Sequence, residues 1–340
     1  MTIENIENNK NVTENLTVSI GKDEYGKDII IDLSIIRHLL VAGATGSGKS
    51  TLLHRIVSAL ISNNSPQKLK LILIDPKRVE LPLYNGIPHL LTPVIVDQKK
   101  TVLVLRWAVK EILRRYDPFE RNNCRNIDDN EGNQIMPRIV IVIDEFSDSM
   151  QTYPKETEEA VVKIVQIGYA VGVHIILSTS RPSTKVYTKK ILDEITTHIA
   201  LQTGSTQDSK LVMGTEDAYK LRGAGDILIR DGKKYTIRGQ IDMLTQEEVQ
   251  SFVKSVRNKY KDSVADVVNV DKPEEEYGDD MYEGAREAVI HSGMASTSFI
   301  QRKLGIGYSR AAHLMDMLEE KGVIGPANGS KPREVIMAEK

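Results

Sequence analysis

Gly43-Ala44-Thr45-Gly46-Ser47-Gly48-Lys49-Ser50 decides the fold of this 340-residue chain. The run fits the pattern G-x-x-x-x-G-K-[ST], follows the apolar segment Leu39-Leu40-Val41-Ala42 and opens a helix-like stretch over Thr51–Ser62. Strand, glycine-rich turn and helix start, in that order, make a cradle for phosphate. The glycines let the backbone curl until successive N–H groups face one anion, and the helix dipole adds partial positive charge. The pattern assigns Gly43, Ala44, Thr45, Gly46, Ser47, Gly48, Lys49, Ser50 and Thr51 to a nucleoside triphosphate. Lys49 reaches the β/γ-phosphates, and the Ser50 hydroxyl holds Mg²⁺.

The second half of such a site reads as Ile139-Val140-Ile141-Val142-Ile143-Asp144-Glu145. A buried strand ending in Asp places a carboxylate, Asp144, in the Mg²⁺ shell. Glu145 then polarises a water for attack on the γ-phosphate, which makes Glu145 and Lys49 the predicted catalytic pair and ATP with Mg²⁺ the predicted cofactors. An Asp-Glu pair argues for an ATPase carrying its own base rather than a kinase or a GTPase.

Outward from these motifs, Ile29–Leu33, Leu39–Ala42, Lys70–Ile74, Arg138–Ile143 and His174–Ser178 read as strands. Asp97–Tyr116, stopping before Pro118, and Glu156–Val171 read as helices, and the polar stretch Arg121–Met136 as a surface excursion. Strands alternating with helices predict an α/β domain on a parallel sheet. A net charge of -2 gives no hint of nucleic acid, and the single Cys124 excludes an internal disulfide framework and fits a reducing cytosol. No apolar run approaches a membrane span, and Met1–Glu14 is too rich in Asn and Glu for a signal peptide, so the expected location is cytoplasmic.

Composition changes after Tyr260. Asp262–Asp280 is acidic and interrupted by Pro273, which predicts a linker unable to bury a core. The expected division is a tail over 1–17, a P-loop domain over 18–260, a linker over 261–280 and a small domain over 281–340. That last domain reads as helices over Met281–Ser292, Thr297–Leu304 and Tyr308–Lys321, then a hairpin of Val323–Gly325 and Arg333–Met337 joined through Asn328-Gly329-Ser330. The pattern is that of a winged helix whose third helix enters the major groove, with a small helical interaction module as the alternative. Ala311, Leu314, Met315 and Leu318 mark the core face of the third helix, and Ser309, Arg310, His313 and Asp316 the outward one. Lys303, Arg310, Lys331 and Arg333 are the expected phosphate contacts, with Ser309 and His313 on the base-reading face.

The chain resembles the FtsK/SpoIIIE DNA translocases. The likeness runs in order through His38-Leu39-Leu40-Val41-Ala42 and the loop after it, Ile74-Asp75-Pro76-Lys77 with Glu80-Leu81, and Tyr84-Asn85-Gly86-Ile87-Pro88-His89. It continues through Leu105-Arg106-Trp107, Val142-Ile143-Asp144-Glu145-Phe146, Gly172-Val173-His174, Arg181-Pro182-Ser183 and Gly223-Ala224-Gly225-Asp226. Gly305-Ile306-Gly307-Tyr308-Ser309-Arg310 is similar to the γ domain of the same proteins, so the likeness covers about 18–250 and 281–337. It implies a RecA-like ATPase ring, usually a hexamer, that drives duplex DNA through its channel and reads short skewed sites with the γ domain.

Several positions depart from the family. Tyr169 stands where relatives carry an arginine finger directed at the neighbouring ATP, Ser180 where they carry Gln, and His198 where they carry Arg. Arg181, Arg222 and Lys163 are candidate substitutes. Ser309, His313 and Asp316 replace the family's Asn, Arg and Glu, which predicts a changed or relaxed base preference because His lacks the bidentate fork. A chain starting so near the motor suits a plasmid, phage or soluble paralogue without a membrane anchor. Two other readings stay open: an ATP-gated DNA-binding protein that hydrolyses slowly, and a secretion, conjugation or packaging motor.

Overall fold

The computed structural model describes residues 16–121, 124–130, 136–232, 235–261, 268, 281–327 and 332–336. Residues 1–15 of the expected tail, most of the expected linker and the hairpin turn with Lys331 lie outside the described residues. Two compact units are present, Met1–Arg106 with Ile135–Val270 and Trp107–Gln134 with Asp271–Lys340.

The first unit begins with a hairpin, β1 (Thr17–Asp23) and β2 (Asp28–Asp32). The Asp32 carboxylate caps a single turn, α1 (Leu33–Ile36), which leads into β3 (Leu39–Ala42). The glycine loop then opens α2 (Lys49–Asn63), whose Leu52, Leu53, Ile56, Val57, Leu60 and Ile61 are buried at helical spacing. Every residue of β4 (Leu69–Ile74) and of β5 (Arg138–Ile143) is buried, as a parallel strand covered on both faces requires. Between them in the chain α3 (Gln98–Arg121), which belongs to the second unit from Trp107 on, runs through Pro118, where the sequence predicts a stop. Proline removes one helical hydrogen bond at a cost of about 3 kcal/mol. Phe119, 2% exposed just beyond it, supplies the compensating burial.

After β5 come α4 (Phe146–Thr152) and α5 (Pro154–Ile167). The predicted helix over Glu156–Val171 is thus shorter, ending at Gly168 in a 3₁₀ turn over Tyr169–Val171. Then follow β6 (Val173–Thr179), α6 (Lys189–Glu194), β7 (Thr197–Ala200), α7 (Thr206–Met213), β8 (Asp226–Asp231), β9 (Tyr235–Ile241) and α8 (Gln246–Lys259). A reciprocal capping box between Thr245 and Glu248 starts α8.

The sheet order is β2-β1-β9-β8-β7-β3-β6-β5-β4. Strands β7, β3, β6, β5 and β4 run parallel, as the sequence predicts, while β8, β9, β1 and β2 extend the sheet antiparallel. Of this antiparallel half the sequence predicts only β2, as the strand over Ile29–Leu33; β1, β8 and β9 are additional.

The second unit holds α9 (Tyr282–Ser292), α10 (Thr297–Leu304) and α11 (Tyr308–Glu320). Ala285, Val289, Ile300, Leu314, Met315 and Leu318 close its core. One antiparallel bridge, Ile324 to Val335, joins the two segments of the expected hairpin, and a second ties Ala295, before α10, to Arg333. Among the described residues no helix is long and apolar enough to cross a membrane.

Candidate active site

Four neighbouring parallel strands, β3, β6, β5 and β4, end on one side of the sheet, and each delivers residues there. Ligands of open α/β sheets bind at such carboxyl ends. From β3 comes the loop Gly43–Ser50, held by Gly43 N donating to Thr179 O (3.2 Å) and Ala44 N to Gln202 O (2.7 Å). Gly46 and Gly48 have φ of 82° and 105°, a left-handed region that excludes most side chains. At Gly48 space is closed as well, since a Cβ would lie 2.9 Å from Gly225 N. Gly48 caps α2 without a side chain, and the first turn of the helix contains no acid. Its free amides and positive dipole end therefore face no carboxylate of their own helix.

Lys49 is buried, and its Nζ pairs with Asp144 Oδ1 at 2.5 Å. Asp144 and Glu145 follow β5 directly. Glu145 is 1% exposed, and its carboxylate is enclosed by donors. Oε1 accepts from Ser147 Oγ (2.7 Å), Thr179 Oγ1 (2.6 Å) and Ser180 N (3.0 Å). Oε2 accepts from Lys77 Nζ (2.5 Å) and Ser180 Oγ (2.5 Å). Burial alone would push this carboxyl up. The bonds from Lys77, Ser180, Thr179 and Ser147 outweigh that and hold it well below the usual carboxylate range.

The structure brings Lys49 onto Asp144, both named from the sequence, and gathers Lys77, Ser147, Thr179 and Ser180 around Glu145; the sequence pattern does not point to Lys77, Ser147 or Thr179. Lys77 is positioned by Asp75, whose two oxygens accept from five successive backbone amides, Lys77 through Leu81, at 2.9 to 3.1 Å. The available signal was the position of Asp75-Pro76-Lys77 just past a buried strand, on the same side as the loop.

The residues present fit a triphosphate and Mg²⁺. Ser47 Oγ is buried without a partner, as a donor to a phosphate oxygen would be. The Ser50 hydroxyl and Asp144 are hard oxygen donors. Among the described residues no group of three His, Cys, Asp or Glu could hold a metal. Mg²⁺ here would therefore draw the rest of its shell from phosphate and water.

Residues 3–184 match the FtsK/SpoIIIE family model, and residues 276–338 match the FtsK gamma domain. The chain belongs to the FtsK/SpoIIIE family. It is 41% identical over 344 residues to a DNA translocase FtsK of Clostridium tetani (strain Massachusetts / E88), covering 97% of this chain and 46% of that protein. Against the DNA translocase FtsK of Staphylococcus epidermidis (strain ATCC 12228 / FDA PCI 1200) identity is 41%, covering 95% of this chain and 42% of the relative. The chain thus spans under half the length of these FtsK relatives. Among solved structures, the cytoplasmic domain of the Thermomonospora curvata type VII secretion ATPase EccC aligns with TM-score 0.66 at 24% identity, over 78% of this chain and 33% of that one. The pCW3 conjugation coupling protein TcpA aligns with TM-score 0.64 at 22% identity, over 72% of each chain. At these identities the likeness establishes the α/β P-loop fold.

The positions where this FtsK/SpoIIIE chain departs from its family now have surroundings. Tyr169 lies under the guanidinium of Arg37, whose Cζ is 4.1 Å from the ring centroid. Arg37 is exposed and sits in a tight turn at φ 67°, ψ -62°, closed by His38 N donating to Ile36 O at 2.8 Å. Positive-φ turns of this kind are rare and strained. His198 is buried, with Nδ1 2.6 Å from Val212 O and Nε2 2.8 Å from Ile195 O. Burial lowers its pKa against those carbonyls, so one ring N–H donates at a time and the side chain has a structural role. Arg222 is engaged with Asp226, while Arg181 and Lys163 are exposed.

In the second unit the predicted DNA-binding residues separate. Lys303 is exposed. Arg310, with its side chain only 11% exposed, pairs with Asp117 Oδ2 at 3.0 Å, and Gly307 N donates to Asp117 Oδ1 at 3.3 Å. Arg333 pairs with Glu319 (2.5 Å) and Asp316 (3.4 Å). His313 is half-buried, the side chain of Ser309 and the whole of Lys331 lie outside the described residues, and Asp316 is exposed.

Proposed function

We propose that this chain is an ATP-driven motor that moves along double-stranded DNA in the cytoplasm, working as a homo-hexameric ring with its γ domain orienting on the DNA. One observation carries the reading: Lys49 paired with Asp144, beside Glu145, at the carboxyl ends of β3 and β5 shares a chain with a match to the FtsK gamma domain. Relatives named DNA translocase FtsK match across both parts.

In this reading the α2 N-terminus and Lys49 take the phosphates, and Lys49 leaves Asp144 to do so. Mg²⁺, held by Ser50 and Asp144 with the phosphates, would neutralise charge at the transferring group. Glu145 orients the water and accepts its proton as the water oxygen attacks the γ-phosphorus and the bond to the ADP oxygen breaks. The guanidinium offered to the neighbouring subunit's ATP comes from Arg37, seated on Tyr169, rather than from position 169 itself.

The test is steady-state ATPase with and without long duplex DNA, with rings sought by electron microscopy. Duplex DNA should raise turnover at least several-fold and rings should form on it; turnover indifferent to DNA would end this reading. A slow ATP-gated DNA binder, favoured by the enclosed carboxylate of Glu145, predicts turnover below about 1 s⁻¹ even on DNA.

A further inference from the structure

Two lysines occupy two consecutive carboxylates at the carboxyl end of β5: Lys49 on Asp144 and Lys77 on Glu145. The two pairs differ in access. Lys49 and Asp144 are both buried, whereas the Lys77 side chain is 47% exposed against 2% for Glu145. The Lys77 side chain thus reaches from solvent to the enclosed carboxylate. Its backbone is fixed by the five amide bonds to Asp75, so only the flexible stem has freedom to move. Ser180 completes the enclosure with both its amide and its hydroxyl.

A carboxylate surrounded in this way is a poor proton acceptor. Its lone pairs are occupied by five donors, and a water at 2.6–3.2 Å has no free oxygen to approach. The residue also has φ 59°, ψ 61°, a backbone conformation that a non-glycine side chain holds only when its surroundings impose it. A bound triphosphate changes the competition. Its terminal phosphate carries more charge and more acceptor atoms than one carboxylate, and the Lys77 side chain that would turn to it is already 47% exposed.

We propose that Lys77 and Ser180 form a releasable clamp on Glu145, and that Lys77 exchanges Glu145 for the terminal phosphate of bound ATP, freeing the carboxylate for the attacking water. Lys77 is a positioning residue for Glu145 without nucleotide and a γ-phosphate ligand with it; Ser180 is a positioning residue only. The idea rests on the reading of Glu145 as the base.

Two measurements on the full chain test it, with thermal melts confirming that each variant folds. The first is equilibrium binding of MgATP and MgADP to Glu145→Gln and to the double variant Glu145→Gln/Lys77→Met. Losing a charge-assisted contact to the γ-phosphate should cut the preference for ATP over ADP at least about tenfold, and Lys77→Arg should retain it. The second is turnover without DNA, which Ser180→Ala should raise several-fold with ATP affinity unchanged. An ATP-to-ADP ratio in Glu145→Gln/Lys77→Met equal to that of Glu145→Gln overturns the proposal, and so does a DNA-free rate in Ser180→Ala equal to that of the unsubstituted protein. Failure of the underlying reading looks different: Glu145→Gln would itself turn over normally, whatever Lys77 and Ser180 do.

Discussion

Glu145 and Arg37 are both non-glycine residues at positive φ, 59° and 67°, and both carry charge at places the proposed chemistry uses. Such conformations cost about 1–3 kcal/mol each and persist only where neighbours fix them. Removing the Glu145 carboxylate while keeping its shape, as Glu145→Gln, should lower DNA-stimulated turnover at least about 100-fold with ATP still bound. Lys49→Ala should abolish binding instead, and isotherms for the two variants separate the cases. For Arg37→Ala a fall of about 10³ in DNA-stimulated turnover is expected, the scale of a lost trans guanidinium. Tyr169→Arg in that background should recover part of it. An equal mixture of Arg37→Ala and Lys49→Ala chains should hydrolyse ATP although neither does alone, because each supplies what the other lacks. Wild-type turnover by Arg37→Ala rings would refute the role. At this scale the sequence is legible where the proposed site is made of consecutive residues, as in Gly43–Ser50 and Asp144-Glu145. It is not legible for Lys77 and Thr179, which lie 68 and 34 residues from Glu145 and meet it only through strand order.

Elements explain which predictions held and which did not. Strands buried on both faces, such as β5, announce themselves as unbroken β-branched runs, and Arg138–Ile143 was read to the residue. The end of α3 was misread because local sequence at Pro118 was outweighed by the burial of Phe119 further on. Where β3 meets β6, His38 Nδ1 accepts from Ile175 N, and His174 Nδ1 lies 2.8 Å from Arg37 O. Burial, with His174 beside it, lowers the His38 pKa from its ordinary 6.5 to about 3. The unfolded chain therefore binds more protons than the folded one below pH 6.5. The associated stability is complete above that pH and is lost as pH falls toward 3, at up to about 1.4 kcal/mol per pH unit. Denaturant midpoints measured from pH 7 to 4 should fall less steeply in His38→Gln than in the unsubstituted chain; parallel curves would contradict the assignment. At the start of α11, Asp117 lies against Gly307 N and Arg310, where an anion complements the helix dipole and where the proposed function would seat a DNA phosphate. Asp117→Asn should therefore tighten binding of the chain to duplex DNA several-fold in a fluorescence-anisotropy titration, with a steeper salt dependence. Unchanged affinity would show that Arg310 takes no part.

For the whole chain, the two units divide the expected work. The first holds every residue of the proposed nucleotide site, and the second matches the FtsK gamma domain. Removing 281–340 should leave DNA-free hydrolysis intact and weaken DNA affinity at low protein concentration several-fold. Equal DNA stimulation with and without that segment would transfer all DNA contact to the first unit. One junction in that unit has mechanical meaning. Gly225 N donates to Ser47 O at 2.9 Å, Gly48 has no room for a Cβ against Gly225, and Gly225 has none against Ile241. The phosphate loop is thereby fastened, backbone to backbone, to the entrance of β8 and the exit of β9. It cannot widen around a nucleotide or relax after one departs without carrying that strand pair with it. Strands β8 and β9, which nothing in the sequence announced, are thus tied to any movement of the loop.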